Sequence, residues 1–312
     1  MTRRYLALCC WLLCLFTLAG CVSPFREVDR VGEYTPEIDP QAGNRSGGTI
    51  TADLWLPVKS RDYFAVKTFS VAVASGERPE MAVLKELGRQ QEPGDILVAP
   101  MWSSLQVLEV TDDNQTLYVT LSKEFLSPPT ADESQRAAMC RAAVLSISNT
   151  LLGMGEYSQV QILVEMPSTG KVQRPTRGQA GFLGSDENTV LGLLTAQPEL
   201  ILTPWTAAEI AMRAVSNMDS LVLYDILYRS GGKMPDIFAF QSVLQEMPES
   251  IKEYEIVDYI QEGESQATVY VDILFLDGQE QERLETRVPL TCVQENGIWK
   301  VEYQTFEKLV IR

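Results

Sequence analysis

The first half of the chain alternates between strand-like and helix-like spacing of its apolar residues. Period-two runs predict β-strands over residues 50–56, 63–73, 105–110, 116–121 and 160–164. Helical spacing predicts one helix that begins at Pro79 and ends near Gly88, and a second one through residue 151. Thr130 and Glu133 have capping-box spacing, so we expect the second helix to begin there. The order β-β-α-β-β-α-β predicts helices packed on a sheet.

The second half places its helices before its strands. Helices are expected over 206–217, 220–228 and 235–247, and strands from residue 253 onward, over 268–276, 284–293 and 299–303. The turn signals Asp277-Gly278 and Asn296-Gly297 separate the last three strands. Strand alternation puts four residues on one face, namely Leu284, Val288, Leu290 and Cys292. The sequence therefore predicts an α+β fold of two domains, the second a cone-like arrangement of three helices and a curved antiparallel sheet.

A short positive start and an apolar run mark the amino terminus. Arg3 and Arg4 precede residues 5–19, which carry no charge and are rich in leucine. This is the layout of a secretory signal peptide. The run is shorter than the ~20 apolar residues that a helix needs to span a bilayer, which argues against a permanent membrane helix.

Residues 18–21 read Leu-Ala-Gly-Cys and match the lipobox of bacterial lipoproteins. The match implies that residues 1–20 are removed and that the thiol of Cys21 receives diacylglycerol, so that acyl chains of the palmitate type hold the protein on the membrane. An uncleaved anchor with incidental cysteines is the alternative. Two or three acyl chains anchor a protein stably where one does not. We expect a lipid-anchored protein on the extracytoplasmic face of the cytoplasmic membrane, with residues 21–48 as a flexible tether.

The chain is acidic and contains no histidine. It has 26 basic and 42 acidic residues and a net charge of −16, and its apolar fraction of 45% is too high for a disordered chain. Such a charge disfavours nucleic acid as a partner. The lack of histidine excludes His-based triads, Cys-His pairs and HExxH zinc sites. We therefore expect no enzyme, although carboxylate or Ser-Lys catalysis is not excluded by this count.

Two cysteines besides Cys21 remain after cleavage, Cys140 and Cys292. Buried free thiols are the favoured interpretation, and a disulfide between them is the alternative. The sequence has no Walker loop, no GxGxxG turn after a strand, no CxxC pair, no GxSxG elbow and no EF-hand loop. No catalytic, cofactor-binding or metal-ligating residue is therefore predicted.

Two polar loops are candidates for binding. Residues 112–114 read Asp-Asp-Asn and suggest calcium, but the later ligands of a calcium loop are missing, so a polar hairpin turn is preferred. Lys171, Arg174 and Arg177 form a small basic loop in this acidic protein. A solvated surface loop is the favoured interpretation, and the functional alternative is a contact of these three residues with an acidic partner or a wall polymer.

Several segments of the first half resemble the sporulation and spore germination (GerMN) domain. They are LWLP at 54–57, PEMAVLKEL at 79–87, LQVLEV at 105–110, LYVTLSKEFL at 117–126, SISNTL at 146–151 and VQILV at 160–164. The resemblance covers residues 49–203 and implies a non-enzymatic envelope module, similar to ring-building modules of sporulation channels. The chain has one copy of the pattern, whereas the spore germination type has a tandem pair.

Residues 204–312 resemble the nuclear transport factor two-like class in element order and in the closing NGIWKV at 296–301. In that class the mouth of the cone can hold a ligand. Four aromatic residues could line such a mouth here, or simply form core, namely Tyr259, Tyr270, Trp299 and Tyr303. Asp258 and Asp272 are the carboxylates that could point inward, although alternation makes Asp272 solvated.

The favoured function is a non-catalytic lipoprotein that assembles with other envelope proteins, or with further copies of itself, in sporulation or germination. Its membrane contact would be the lipid on Cys21. A lipoprotein that regulates a membrane sensor kinase or a cell-wall enzyme is one alternative. A small-ligand binder that uses the second domain is the other.

Overall fold

A computed structural model describes residues 47–59, 62–91, 96–229 and 234–310 of the chain. The predicted signal peptide, Cys21 and the predicted tether up to residue 46 lie outside the described residues. No helix within the described ranges is long and apolar enough to cross a membrane.

The first half contains a two-stranded sheet and a four-stranded sheet. Strands β1 (Gly48–Pro57) and β2 (Phe64–Val73) pair antiparallel along their whole length. Helix α1 (Pro79–Arg89) follows, with Pro79 in its first turn. The second sheet has the order β3-β4-β5-β6 and consists of β3 (Val107–Asp113), β4 (Thr116–Leu121), β5 (Gln159–Glu165) and β6 (Val172–Gln173). The strands predicted for this half are confirmed, with shifts of a few residues at their ends.

Helix α2 (Glu133–Leu152) connects the parallel strands β4 and β5 and contacts both β1 and β5. Every residue from 142 to 152 of this helix is buried. The predicted start at Thr130 is wrong. Asp132 is the N-cap residue, because its carboxylate accepts a hydrogen bond from the Gln135 amide at 2.7 Å.

The second half has helices first and strands afterwards, as predicted. Its elements in chain order are α3 (Pro204–Ser216), α4 (Ser220–Ile226), β7 (Leu227–Tyr228), α5 (Ile237–Gln245), β8 (Glu249–Gln261), β9 (Gln266–Asp277), β10 (Glu282–Glu295), β11 (Ile298–Glu302) and α6 (Tyr303–Val310). The sheet order is β7-β11-β10-β9-β8, in which the short β7 runs parallel to β11 and the other pairs are antiparallel. The predicted α+β class is confirmed, and the likeness to the nuclear transport factor two-like class stays a prediction.

Three details of the second half differ from the prediction. The helix expected to reach residue 228 ends at Ile226. Residue Tyr303 opens α6, which the strand pattern did not predict. Leu284 is 62% exposed, whereas Leu290 and Cys292 are fully buried. Leu284 and Leu290 lie on different faces because the register of β10 is irregular between Glu285 and Val288. One extra residue in a strand moves the side chains that follow it to the other face.

A continuous cluster of buried apolar side chains runs through both halves. It includes Leu54 of β1, Ile147 of α2, Ile162 of β5, Ile210 of α3 and Val271 of β9. The described part of the chain therefore packs as connected layers, in which α2 covers the first sheets and α3 covers the inner face of the last one.

Candidate functional site

The loop between β1 and β2 connects the two halves through charged side chains. Asp62 accepts hydrogen bonds at 2.9 Å from Arg141 of α2 and at 2.9 Å from Arg213 of α3. Lys59 forms an ion pair with Asp225 of α4. One carboxylate thus joins two helices that are distant in sequence. We call this region the junction.

Tyr63 strengthens the junction from the same loop. Its hydroxyl donates a hydrogen bond to Glu209 at 2.7 Å. Burial raises the pKa of Tyr63, and the hydrogen bond to Glu209 raises it further, so the hydroxyl stays protonated and keeps donating. The main chain contributes as well, because the amide of Leu202 donates to the carbonyl oxygen of Phe64 at 2.7 Å. The segment before α3 is therefore held against the start of β2.

A second polar group, the Glu80 network, lies at the start of α1. Glu80 is only 3% exposed and accepts hydrogen bonds from Tyr157 at 2.7 Å and from Arg78 at 3.3 Å. Arg78 also forms an ion pair with Asp112 at 2.6 Å. Burial alone would raise the pKa of Glu80, but the hydrogen bonds from Arg78 and Tyr157 outweigh it and the net pKa is lowered. The carboxylate is therefore charged at neutral pH.

The same network explains the acidic turn at residues 112–114. Asp113 pairs with Thr116 across the β3–β4 hairpin, and Asn114 adopts a left-handed backbone with a φ of 54°. Asp112 is engaged by Arg78. Within the described ranges no group of three or more acidic, cysteine or histidine residues is placed to hold a metal ion. The polar hairpin turn is the interpretation that the geometry supports.

The predicted basic residues lie on the loop after β5. Lys171 is exposed and precedes β6, and Arg174 is half-buried directly after it. Arg177 is half-buried too, with an ion pair to Asp186 at 2.7 Å, and its guanidinium stacks 5.4 Å from the ring centre of Phe182. Arg177 is thus engaged within its own loop. The partner contact proposed for these three residues stays a prediction.

This loop lies directly against α2 and borders a cavity. Gly181 has a φ of 82°, and a Cβ atom there would lie 2.0 Å from the carbonyl oxygen of Ala137. The cavity is about 240 Å³, and its lining includes Leu126, Gln179, Leu183 and Cys140. Close contact between the loop and α2 thus requires glycine at residue 181.

Both remaining cysteines are buried free thiols, as favoured from the sequence. Cys140 donates to the carbonyl oxygen of Phe125 at 3.6 Å, and Cys292 to that of Pro204 at 3.6 Å. Burial raises the pKa of each thiol to about 12. Since the thiolate is the reactive form, both side chains are inert at neutral pH.

The four aromatic residues considered for a mouth or for the core of the second domain do not come together. Tyr259 is opposite Val269 on the inner face of the sheet, whereas Tyr270 is on the outer face. Trp299 and Tyr303 are buried in the core, where Tyr303 packs on Phe240. Trp299 and Tyr303 thus agree with the core interpretation, and strand parity places Tyr259 and Tyr270 on opposite faces of the sheet.

The two candidate carboxylates of this domain meet on the outer face. Asp272 accepts a hydrogen bond from the backbone amide of Arg287 at 2.6 Å, and Asp258 accepts one from its guanidinium at 3.1 Å. The prediction that Asp272 points away from the helices is confirmed. Arg287 also covers the ring of Tyr270, at 4.6 Å from its centre. Asp258 thus pairs with the Arg287 guanidinium, and Asp272 binds the backbone amide of the same residue at the strand irregularity.

The junction and the Glu80 network were not found from the sequence. Their members are separated by up to 166 positions, as in the pair of Lys59 with Asp225. Sequence rules based on hydrophobic period or on short motifs relate only residues that are a few positions apart. The one local signal was Arg78, a basic residue two positions before the buried Glu80 at the start of a helix.

Comparison with known proteins adds a family for the first half. Residues 56–165 match the Germane family. That family is described as sporulation and spore germination, and the Germane region spans about a third of the chain, from the end of β1 to the end of β5. None of the curated proteins matches the chain.

Three solved structures are similar to this chain at low identity. One is the tandem GerMN domains of the sporulation protein GerM from Bacillus subtilis, which is 14% identical. The match covers 75% of this chain and 63% of that chain, with a TM-score of 0.33. Another is a Clostridium perfringens protein provisionally assigned as a lipoprotein, which is 17% identical. The match covers 38% of this chain and 76% of that chain, with a TM-score of 0.24. The third is a SEC-C motif containing protein from Rhodopseudomonas palustris, which is 14% identical. The match covers 29% of this chain and 67% of that chain, with a TM-score of 0.25. We therefore base the functional argument on the Germane match and on the residues themselves.

Proposed function

We propose that this chain is a lipid-anchored extracytoplasmic protein that acts without catalysis as an interaction and assembly module of the cell envelope during sporulation or spore germination. The observation that carries the proposal is the Germane match over residues 56–165. This match supports a role in sporulation or spore germination. The lipobox that ends at Cys21 supplies the location, since a secreted lipoprotein works at the membrane surface.

The described side chains support a structural role for the charged residues. Asp62, Arg141 and Arg213 contact one another at the junction, and Glu80, Arg78 and Tyr157 do so at the start of α1. Hydrogen-bonded groups of this kind fix the relative positions of helices. A body with fixed internal geometry suits a protein that presents its surface to partners.

The tether sets the reach of that body from the membrane. Residues 22–48 separate Cys21 from β1, and a flexible chain of this length has an end-to-end distance of roughly 30 Å. That distance lifts a folded domain above the lipid headgroups. Partners embedded in the membrane or in the inner wall would both be within reach.

The proposal is tested in the organism that carries the gene. A deletion strain is complemented with the wild type, with Cys21→Ala, or with Cys14→Ala as a matched control, because Cys14 lies in the leader and is not a lipid acceptor. Heat-resistant spores, germination rate and membrane fractionation are measured. We expect the deletion to lower spore yield or germination, and Cys14→Ala to restore it. Cys21→Ala should remain an unprocessed precursor or leave the membrane fraction, and it should fail to complement.

Two results would contradict the proposal. A deletion strain with normal spores and germination would remove the developmental role. Processing and membrane retention of Cys21→Ala would remove the lipid anchor and with it the location.

A further inference from the structure

Strand β8 forms one edge of the last sheet. It pairs with β9 on one side, and in the described part of the chain no strand pairs with its other side. It is thirteen residues long, and most of its residues are exposed. An open edge of this length presents unpaired amide and carbonyl groups that another strand can use.

The hydrogen-bond pattern shows which amides point outward. The amide of Glu262 donates to the carbonyl oxygen of Gln266 at 2.9 Å, which closes the β8–β9 hairpin. Alternate residues of an antiparallel pair share this bonding, so the amides of Ile260 and Asp258 also face β9. The amides of Tyr259 and Gln261 therefore face away from the sheet.

Asp258 covers one of these outward amides. Its carboxylate accepts a hydrogen bond from the Tyr259 amide at 2.9 Å and a second one from the Arg287 guanidinium at 3.1 Å. A charged side chain placed over an edge is a known means of blocking further strand pairing. The arginine holds the carboxylate in that position.

Large apolar side chains are exposed at the same edge. Val257 is 36% exposed, and Tyr259 and Ile260 are each 49% exposed. Trp205 of α3 is 37% exposed and packs edge-on against Tyr259 at 6.5 Å between ring centres. Tyr259 lies on the helix side of the sheet and Ile260 on the opposite side. A strand added here would therefore find apolar contacts on both faces.

We propose that residues 257–261, the docking edge, bind an extended segment of a partner protein by β-strand addition, and that this segment carries basic and apolar residues. The proposal rests on the proposed function and names the chemistry of one partner. Strand addition supplies main-chain hydrogen bonds for affinity, and alternating side chains supply specificity. Displacement of the Asp258 carboxylate frees the Tyr259 amide for the incoming strand.

The charge of β8 indicates whether the docking edge binds a second copy of this chain or a different protein. β8 carries four carboxylates and one lysine, in the sequence ESIKEYEIVDYIQ, and Glu262 and Glu264 follow directly. Pairing β8 with another β8 would place these carboxylates in one small sheet, and like charges across a strand pair are destabilising. A basic segment is attracted by the same groups.

The probe for this edge is a blocked ten-residue peptide in which lysine and valine alternate. Its control alternates lysine with proline, which keeps the charge but removes the ability to pair as a strand. Binding to the lipidated full-length chain in detergent micelles is followed by tryptophan fluorescence. Trp205 is the reporter, because the other tryptophans of the described part are buried and Trp11 lies in the leader. We expect saturable binding of the valine peptide and none of the proline peptide.

Two substitutions separate strand pairing from charge attraction. Asp258→Ala uncovers the Tyr259 amide, so we expect about three- to ten-fold tighter binding, the size of one added hydrogen bond. Glu255→Ala removes a charge from the same strand without uncovering an amide, so it should weaken binding. Ile260→Lys should abolish binding, while Leu221→Lys, at a more exposed apolar residue on α4, should leave it unchanged.

Equal binding of both peptides, or weaker binding by Asp258→Ala, would overturn the proposal. Concentration-dependent dimers in sedimentation velocity that Ile260→Lys abolishes would also overturn it, because the edge would then pair with itself. These measurements use purified protein. A failure here leaves the spore phenotype as it is, and a deletion strain without phenotype leaves the peptide result standing.

Discussion

Glu80→Gln is the substitution that tests the buried polar contacts most directly. The change keeps the size of the side chain and an oxygen that can accept from Tyr157, but it removes the charge. Arg78, whose side chain is only 11% exposed, then loses the charge of Glu80 and keeps its ion pair with Asp112. An arginine that is mostly withdrawn from water and has lost one counter-ion is the cause of the expected destabilisation.

The expected magnitude follows from these contacts. Removing one partner of a buried ion pair costs about 3–5 kcal/mol when the other charge is left uncompensated. Arg78 retains the ion pair with Asp112 at 2.6 Å, so the loss should be near the value for hydrogen bonds to charged groups. We expect about 2–3 kcal/mol at neutral pH. That corresponds to a shift of the urea midpoint of about 1 M when the slope is about 2–3 kcal/mol per M.

The pH dependence has a definite sign. The pKa of Glu80 is lower in the folded protein than its ordinary value of 4.5, so the folded state favours the charged form. This contribution to stability is fully present above the ordinary pKa and is lost as the pH falls through the folded pKa. The difference between wild type and Glu80→Gln should therefore be constant from pH 6 to 8 and should shrink below about pH 4.5.

Urea unfolding followed by circular dichroism at pH 7 and at acidic pH measures both effects. Glu156→Gln is the matched control, because Glu156 is exposed and lies next to Tyr157. Its effect should stay within about 0.5 kcal/mol. Equal midpoints for wild type and Glu80→Gln at pH 7 would refute the assignment of Glu80 as a charged structural partner. So would a difference that persists unchanged at pH 3.

Three further predictions concern other contacts. Gly181→Ala should lower stability by about 2 kcal/mol or more, since it adds a left-handed backbone penalty to the clash with Ala137, and a normal melting temperature would contradict the close approach. Cys140 and Cys292 should resist a thiol reagent at pH 8 until urea is added, because both pKa values are about 12; rapid labelling of the folded chain would show that they are accessible. Asp62→Ala should cost less than about 2 kcal/mol, because both ion pairs are half-exposed, and 1 M salt should reduce the difference; a loss that salt does not change would point to packing instead.

Local chemistry made much of the fold predictable. Asn296 and Gly297 both have positive φ, at 52° and 81°, as a two-residue hairpin turn requires. Alternation placed Val160, Ile162 and Val164 on one buried strand, and all three are fully buried. These features depend on neighbours in the sequence. A rule that uses spacing can therefore find them.

The errors arise where the decisive contact is distant or the period is broken. Leu284 was placed on the wrong face, because Pro289 suggests an edge or a bulge in this strand but does not mark where the extra residue before Val288 lies. Thr130 had the right spacing for a cap, but the helix begins two residues later, where the Asp132 carboxylate accepts a hydrogen bond from the Gln135 amide. The contacts of Asp62 require α2 and α3 to be positioned first. Such contacts follow from the tertiary structure and are not written in any short segment.

Strand β1 begins before the region that matches the family, and this restricts where the gene can be divided. The Germane match begins at Leu56, yet β1 begins at Gly48 and Leu54 is fully buried in the core. A recombinant fragment cut at the match boundaries would lack most of a strand and expose the hydrophobic surface beneath it. It would also lack Leu202, which bonds to Phe64. Gene fusions that transplant this region should therefore extend from about residue 47 to beyond Leu202, since a shorter piece would be prone to aggregation.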